Sequence, residues 1–418
     1  MRNRGAAYFA MLSLCLLVGI LCVGSVTVQR AQLRSVNLDN DSADARTYAM
    51  AAIEMGRLAI SQDDYWRTTH KNDAGNNWFT GRAIGRGTCS LNVTNPNGAL
   101  DNASTDPVVM TGTGYAGNAR QVVTVTLVAT ATPYTCLSNA LTAGSSISLG
   151  STTLSPSGCR IASNSNVSAS SGTIYPDVVA VGTISGTSYQ GLTTPQSTAQ
   201  TLPDTTKVFD YYKTNGTTIS AASLPTTSGG PSLVNVLLSP LTNPYGATNA
   251  KGIYVIDCGG QSFLLSNCRI VGTLVLLNCG GGLTVQNQVV WGPAVTNYPC
   301  GLVQGAVSLK ANTNALKDDA VNSINYNPPG VPYPYPSGTS DSTYTSTFSP
   351  GMTGLLYCTG TFTVSKSFSA GMIATASSST HSDNLTLTYD STLSANPPPG
   401  FVTYTMTPSP QSYGRAMP

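Results

Sequence analysis

With 418 residues, 20 Lys+Arg and 18 Asp+Glu, the chain is long enough for two or three folding units. It is too nearly neutral to point to nucleic acid or an anionic surface as a partner. Residues 1–107 hold 19 of the 38 charges, and residues 108–418 hold the other 19 over nearly three times the length. That second region draws its polarity from Ser, Thr and Asn among β-branched residues, which argues against disorder and for stacked strands.

The chain begins Arg2-Asn3-Arg4-Gly5 and then runs from Ala6 to Val28 without a charge. Crossing a hydrocarbon core takes roughly 20 residues at helical rise, whereas a cleavable secretory core is about 7–15. Residues 1–28 therefore read as a leader and transmembrane segment. Arg2, Arg4 and the amino terminus favour a cytoplasmic start, although Arg30 and Arg34 oppose them from the far side. The expected location is a single pass through an inner, cytoplasmic membrane, with the bulk of the chain extracytoplasmic.

Residues 29–77 continue as a helix and connector. Arg46, Met50, Glu54, Arg57 and Ser61 form a polar stripe, with Glu54 and Arg57 placed to pair. Tyr48, Ala52, Met55, Leu58 and Ala59 form an apolar face, and the Asn/Asp/Ser-rich stretch 37–44 is expected to interrupt or re-cap the helix. A helix over 6–62 would be about 85 Å long. Residues 78–133 read as a small antiparallel meander, with strands near 85–93, 108–111 and 121–128 and a Gly-rich connection over 112–118. The loop Asn95-Pro96-Asn97-Gly98 with Asp101 and Asp106 offers oxygen ligands for Ca²⁺ but lacks EF-hand spacing, so a solvated turn is the preferred reading.

An internal repeat follows. Ile147, Leu149 and Leu154 recur as Val167, Ala169 and Ile174 at a spacing of 20. Ile256-Asp257-Cys258-Gly259-Gly260 recurs as Leu277-Asn278-Cys279-Gly280-Gly281 at 21, while Asn267 and Gly272 recur as Asn287 and Gly292 at 20. Leu356-Tyr357-Cys358-Thr359-Gly360 is a weaker third copy. Short strands with Gly/Asn corners at a period near 20 indicate a parallel β-helix, right-handed by the crossover preference of parallel strands. Cys258 and Cys279 then belong to an interior column and Asn267 and Asn287 to a corner ladder, which gives all four a structural role. The β-helix is expected over 134–310 with an excursion at 190–250, a Pro/Tyr-rich excursion at 311–351, closing rungs at 352–404 and a disordered tail from 405.

Chemistry is sparse. His70 and His381 have no catalytic setting, Glu54 is the sole glutamate, and the only local acid cluster in the solenoid region is Lys317-Asp318-Asp319. No P-loop, HExxH or nucleophile elbow stands out, and neither CxxC pairs nor Cys/His clusters suggest zinc. We therefore expect no enzyme, no catalytic residue, no cofactor and no bound metal. Eight cysteines lie outside the apolar segment, an even number compatible with disulfides in an oxidising compartment, in pairings the sequence leaves open.

The basic start, Gly5, the uncharged run and the continuing helix resemble type IV prepilins and pseudopilins, most closely PilX-type minor pilins and K-type secretion pseudopilins. The resemblance runs from the start of the chain to the end of that helix, near Ser61 and Gln62. It implies cleavage between Gly5 and Ala6 by a prepilin peptidase. Ala6 stands where many members have Phe, and Ala10 where major pilins carry Glu, a departure shared by several minor components. Leu385-Thr386-Leu387-Thr388-Tyr389-Asp390 through Asn396-Pro397-Pro398-Pro399-Gly400-Phe401 resembles the closing motif of β-solenoids on PilX-like pilus-assembly proteins. What the resemblance implies is a noncatalytic envelope component whose partners are other pilins, pseudopilins or assembly proteins. The alternatives are an anchored adhesin or glycan-binding module and, behind it, a β-helix polysaccharide lyase or hydrolase.

Overall fold

The computed structural model describes residues 4–63, 66–70, 77–101, 103, 105–227, 229–329 and 342–416. They form two units: Met1–Thr132 with Tyr404–Pro418, and Pro133–Thr403.

The first unit begins with one unbroken helix, α1 (Arg4–Gln62). The expected interruption over 37–44 does not occur, because the adjoining sheet satisfies those polar side chains. Arg86 pairs with Asp41 at 2.8 Å and Asp44 at 2.6 Å, and Gln121 bonds Ser42 at 2.9 Å. Glu54 and Arg57 pair at 2.9 Å, as their spacing requires. The buried face is Ala45, Ala49, Ala52, Ile53 and Gly56, while Leu58, expected inside, is exposed.

That face packs on an antiparallel sheet of β1 (Asn77–Ile84), β2 (Gly87–Thr94), β3 (Val108–Ala116) and β4 (Ala119–Pro133). Strand alternation turns Cys89, Leu91, Val93, Val108, Met110, Val125 and Leu127 inward. The stretch 112–116, expected to be loop, is strand, and the β3–β4 turn is only Gly117-Asn118. The glycines in β3 serve close approach rather than flexibility. A Cβ on Gly112 would overlap the Ala49 carbonyl oxygen, and one on Gly114 the Ala45 carbonyl oxygen.

The tail is not disordered. Val402–Pro408 lies beside β4, Thr130 and Thr407 share a hydroxyl bond of 3.0 Å, and Gly414–Ala416 pairs antiparallel with residues 122–124. Val402, Tyr404 and Met406 alternate with threonines, a period-2 signal obscured by Pro408 and Pro410. The second unit is thus inserted between two neighbouring strands, and its own ends meet where the Tyr134 N–H donates to the Phe401 carbonyl at 3.1 Å.

The second unit is a solenoid of parallel strands, with three strand columns per rung. Ile147, Leu149 and Leu154 pair with Val167, Ala169 and Ile174, as the spacing of 20 demands. Along the stack the rungs run 217–238, 253–271, 273–292, 301–311 with 351–352, 355–370, 372–387, 141–155, 160–174 and 177–189, and a last short strand, Thr193–Thr194, stacks on Val178–Val179. Residues 352–387 therefore do not close the stack, as the sequence suggested. They sit mid-stack, and Ile373, Ser379 and Leu385 pair with Leu141, Ile147 and Leu154. The stretch 190–250 is likewise less of an excursion than expected, because Gly230–Leu238 forms two strand columns of an end rung. Its partner strand begins only at Phe263, a wider interval than the other copies keep, and this hid the period. Thr226–Thr227 folds back antiparallel on Gly230 and Pro231 and blunts the edge.

Two segments cover outer faces of the coil. Val208, Phe209 and Tyr212 pack with Val255, Val275, Leu302 and Tyr357, joined by Leu393 and Phe401 from the Pro-rich closing segment. From the Pro/Tyr-rich excursion, Leu316, Tyr326 and Phe348 pack on Leu237 and Val290. There Arg269 is buried, donating to the Tyr326 carbonyl at 2.7 Å beneath the Phe348 ring. Pro332, Pro334 and Pro336 lie outside the described residues.

Gly114→Val tests the docking of α1 on its sheet. Forcing a side chain between backbones costs about 1–3 kcal/mol. In denaturant unfolding of the full-length protein, the transition of the first unit should move to lower denaturant while that of the solenoid stays. An unchanged first transition would contradict the close packing.

Candidate functional site

Three features bear on function: the exposed half of α1, the cysteine and asparagine columns, and one solenoid face. Over Ala7–Gln62 the helix is long and apolar enough to cross a membrane, with a best-window mean hydropathy of 2.5 and none of that window buried. The apolar residues lie all around it: Phe9, Leu12, Leu16, Leu17, Ile20 and Val23 are all exposed. A helix apolar on every side suits lipid rather than a protein groove. The hydroxyls of Ser13, Ser25 and Thr27 donate to the carbonyls of Ala10, Cys22 and Gly24, at 2.9, 2.9 and 2.7 Å. The Ser and Thr hydroxyls of the run are therefore satisfied by their own helix without water. Gly5 and Ala6 lie in the first turns of α1, while Arg2 and Asn3 are outside the described residues.

The corner residues stack. Asn267 and Asn287 both take left-handed backbone, at φ 49° and 57°. Asn287 Nδ2 donates to Ser266 Oγ at 2.8 Å, and Asn267 Oδ1 accepts from the Gln288 N–H at 3.4 Å. Asn235, which the sequence reading missed, stands at the same corner with φ 53°, between Val234 and Val236, which pair with Ser266 and Cys268. Asparagine tolerates this conformation because its amide can bond locally. Gly272 and Gly292 mark the following corner, where the Gly272 N–H donates to the Gly292 carbonyl at 2.7 Å. Cys258 and Cys279 are buried on the inside of neighbouring rungs. Asp257 pairs with Leu277 at a spacing of 20, so Cys258 stands opposite Asn278, and the extra residue is taken up at Asn278 with φ 47°.

The carboxylates hold turns. Asp257 accepts from the Gly259 N–H and from Asn278, both of which lower its pKa. Asn322 and backbone N–H groups lower that of Asp319, and Ser367 with the Asn384 N–H that of Asp383. Asp318 accepts from the N–H groups of Tyr326 and Ser346. Asp257, Asp319 and Asp383, held ionised by these bonds, make poor general acids. Asp106 accepts from the amides of Asn95 at 2.9 Å and Asn97 at 3.2 Å, which ties up both oxygens within the turn. Among the described residues no group of three His, Cys, Asp or Glu could hold a metal. His70 stacks on Trp78 with ring centroids 4.2 Å apart.

One outward column differs from the covered faces. Thr284, Ser308, Thr363, Thr380, Ser148, Ser168 and Ser185 follow one another across successive rungs, all exposed or half-buried. At one interstrand spacing each, the line spans about 29 Å. Every hydroxyl offers one donor and two acceptor sites without charge.

No protein-family model matches the chain, and no curated protein matches it. Among solved structures it is similar to the crystal structure of the competence-associated pilin ComZ from Thermus thermophilus, at 10% identity and a TM-score of 0.31, over 90% of this chain and 97% of that one. At those values the similarity assigns no role to any residue here.

His381 yields a pH prediction for the solenoid. Its ring is buried with Nε2 2.7 Å from Ser379 Oγ, and burial pushes its pKa down to about 4. Below the unfolded value of roughly 6.5, the unfolded chain binds a proton that the folded state refuses. Stability should therefore be full above that value and fall as pH drops toward 4, by about 2.5 kcal/mol between pH 7.5 and 4.5. His381→Gln, which keeps a partner for Ser379, should flatten the slope in denaturant titrations. An equal slope in wild type and variant would contradict a neutral, buried imidazole.

Proposed function

We propose that this chain is a membrane-anchored, type IV pilin-like component of a pilus or secretion-type assembly, which presents its β-helix on the far side of a cytoplasmic membrane. The observation that carries the reading is the division of α1. Its first half is apolar on all sides, and its second half packs through Ala45, Ala49 and Gly56 onto an antiparallel sheet. One rigid element thus joins a lipid-compatible segment to a folded domain. The basic start and Gly5 give the same segment the form of a prepilin leader. In this role the chain performs no catalysis, contacts other pilin-like subunits or envelope assembly proteins, and is cut by a prepilin peptidase before Ala6.

A second reading, an anchored adhesin or glycan-binding module, is favoured by the uncharged hydroxyl column running from Thr284 to Ser185. Retention without turnover on neutral glycans would support it, and turnover would move the assignment to a hydrolase or lyase.

Membrane fractions test the main reading. Leu16→Arg with Leu17→Arg places two charges mid-span, at about 5–7 kcal/mol on the insertion scale. That variant should wash off with carbonate, whereas wild type should stay and begin at Ala6 by mass spectrometry. Retention of the variant would refute the span. An intact Met1 or Arg2 on the membrane-extracted wild type would refute pilin-type processing.

A further inference from the structure

Five cysteines of the solenoid and its covering cluster, Cys136, Cys159, Cys268, Cys300 and Cys358, bond to backbone, and Cys89 belongs to the first unit's core. The Cys159 thiol donates to the Pro156 carbonyl, Cys300 to Leu355 and Cys358 to Gly360, each at 3.3 Å. Cys258 and Cys279 differ, because their thiols hydrogen-bond each other. They stand on neighbouring parallel strands, locked by the Cys258 N–H to the Leu277 carbonyl at 2.9 Å. Cys258 stands opposite Asn278 and Cys279 is the next residue, so the pair is offset by one position, and the left-handed turn at Asn278, φ 47°, brings both side chains to the inside. Cys258 borders a cavity of about 320 Å³ with Asp257, Gly259, Gln261 and Pro231, whereas Cys279 lies wholly inside. Within the pair, the Cys258 hydrogen bond lowers the pKa of Cys279, while that bond and burial raise that of Cys258.

We propose that Cys258 and Cys279 are a disulfide-forming site that welds the rung at 253–271 to the rung at 273–292. The inference rests on the outward display argued above, since such bonds persist in oxidising compartments. The oxidant is a disulfide donor, either a dithiol oxidase or a small-molecule disulfide. One thiolate attacks the donor to give a mixed disulfide, and the second thiolate displaces it. A new S–S bond forms as the donor's breaks. Two protons and two electrons leave the cysteines, and the donor departs as two thiols. The bond closes a short loop next to the end rung, where a stack starts to unzip.

The test uses full-length protein from membranes, with thiols blocked by N-ethylmaleimide before lysis and digestion without reduction. Trypsin cuts after Lys251, Arg269 and Lys310, so the link appears as peptide 252–269 joined to 270–310. Cys268 and Cys300 lie on the same two peptides, so Cys258→Ala must abolish the link and Cys268→Ala must not. Reduction should shift the wild-type unfolding equilibrium of the solenoid by roughly a hundred-fold or more, and leave a Cys258→Ala, Cys279→Ala double variant unmoved. A link in cells supports the site. Free thiols in cells that link when purified protein is treated with diamide uphold the site and contradict outward display. No link under either condition overturns the proposal.

Discussion

The second unit depends on hydrogen bonds between rungs, and above all on those joining the rung at 372–387 to the rung at 141–155. Each strand is bonded on both sides only if its neighbours in the stack are present, and here two neighbours come from opposite ends of the unit's sequence. The three rungs from 141 to 189 have no support on that side until residues 372–387 arrive. Closing a contact at such separation carries an entropy cost that local strands do not meet. The arrangement also brings both ends of the unit to one place, at Tyr134 and Phe401, which lets the whole solenoid interrupt a sheet whose strands still pair.

The first unit answers to a different constraint. A helix of 59 residues has to be indifferent to water along one half and closely packed along the other. The first half achieves this with apolar residues on all sides and hydroxyls bonded back to their own helix. The second achieves it with small residues that let backbones meet, Ala45 and Ala49 against Gly114 and Gly112. In the proposed role the two halves act as anchor and mount, and the charges of Asp41, Asp44 and Arg86 keep the polar middle of the helix in register with the sheet.

The apolar run, the β-helix class and the pairing of Ile147 with Val167 were legible because each is written in contiguous sequence. A repeat reports its own register wherever nothing is inserted. The rung at 230–238 escaped notice because the chain between Asn235 and Asn267 is longer than one regular repeat, and the covering segments add no period of their own. The seam itself has no signature: Leu141 and Leu154 ask only for apolar neighbours, which Ile373 and Leu385 supply without marking the choice, and Ile147 meets Ser379, a partner that no apolar pattern points to. The tail strand was missed because its prolines outweighed a short alternation. Among the candidate site residues, Asn267 and Asn287 were recognisable from the need for a corner, whereas the hydroxyl column becomes visible only when distant rungs are stacked.

The stack order is the claim on which most of this rests, and cross-linking across the seam tests it directly. Ser148 and Thr380 are paired and exposed, yet stand near opposite ends of the unit's sequence. In a Ser148→Cys, Thr380→Cys variant, mild oxidation should give an intramolecular link, identified by mass spectrometry, as efficiently as in a Ser148→Cys, Ser168→Cys control on adjacent rungs. A linked control beside an unlinked Ser148–Thr380 pair would contradict the seam and return the rungs to simple sequence order.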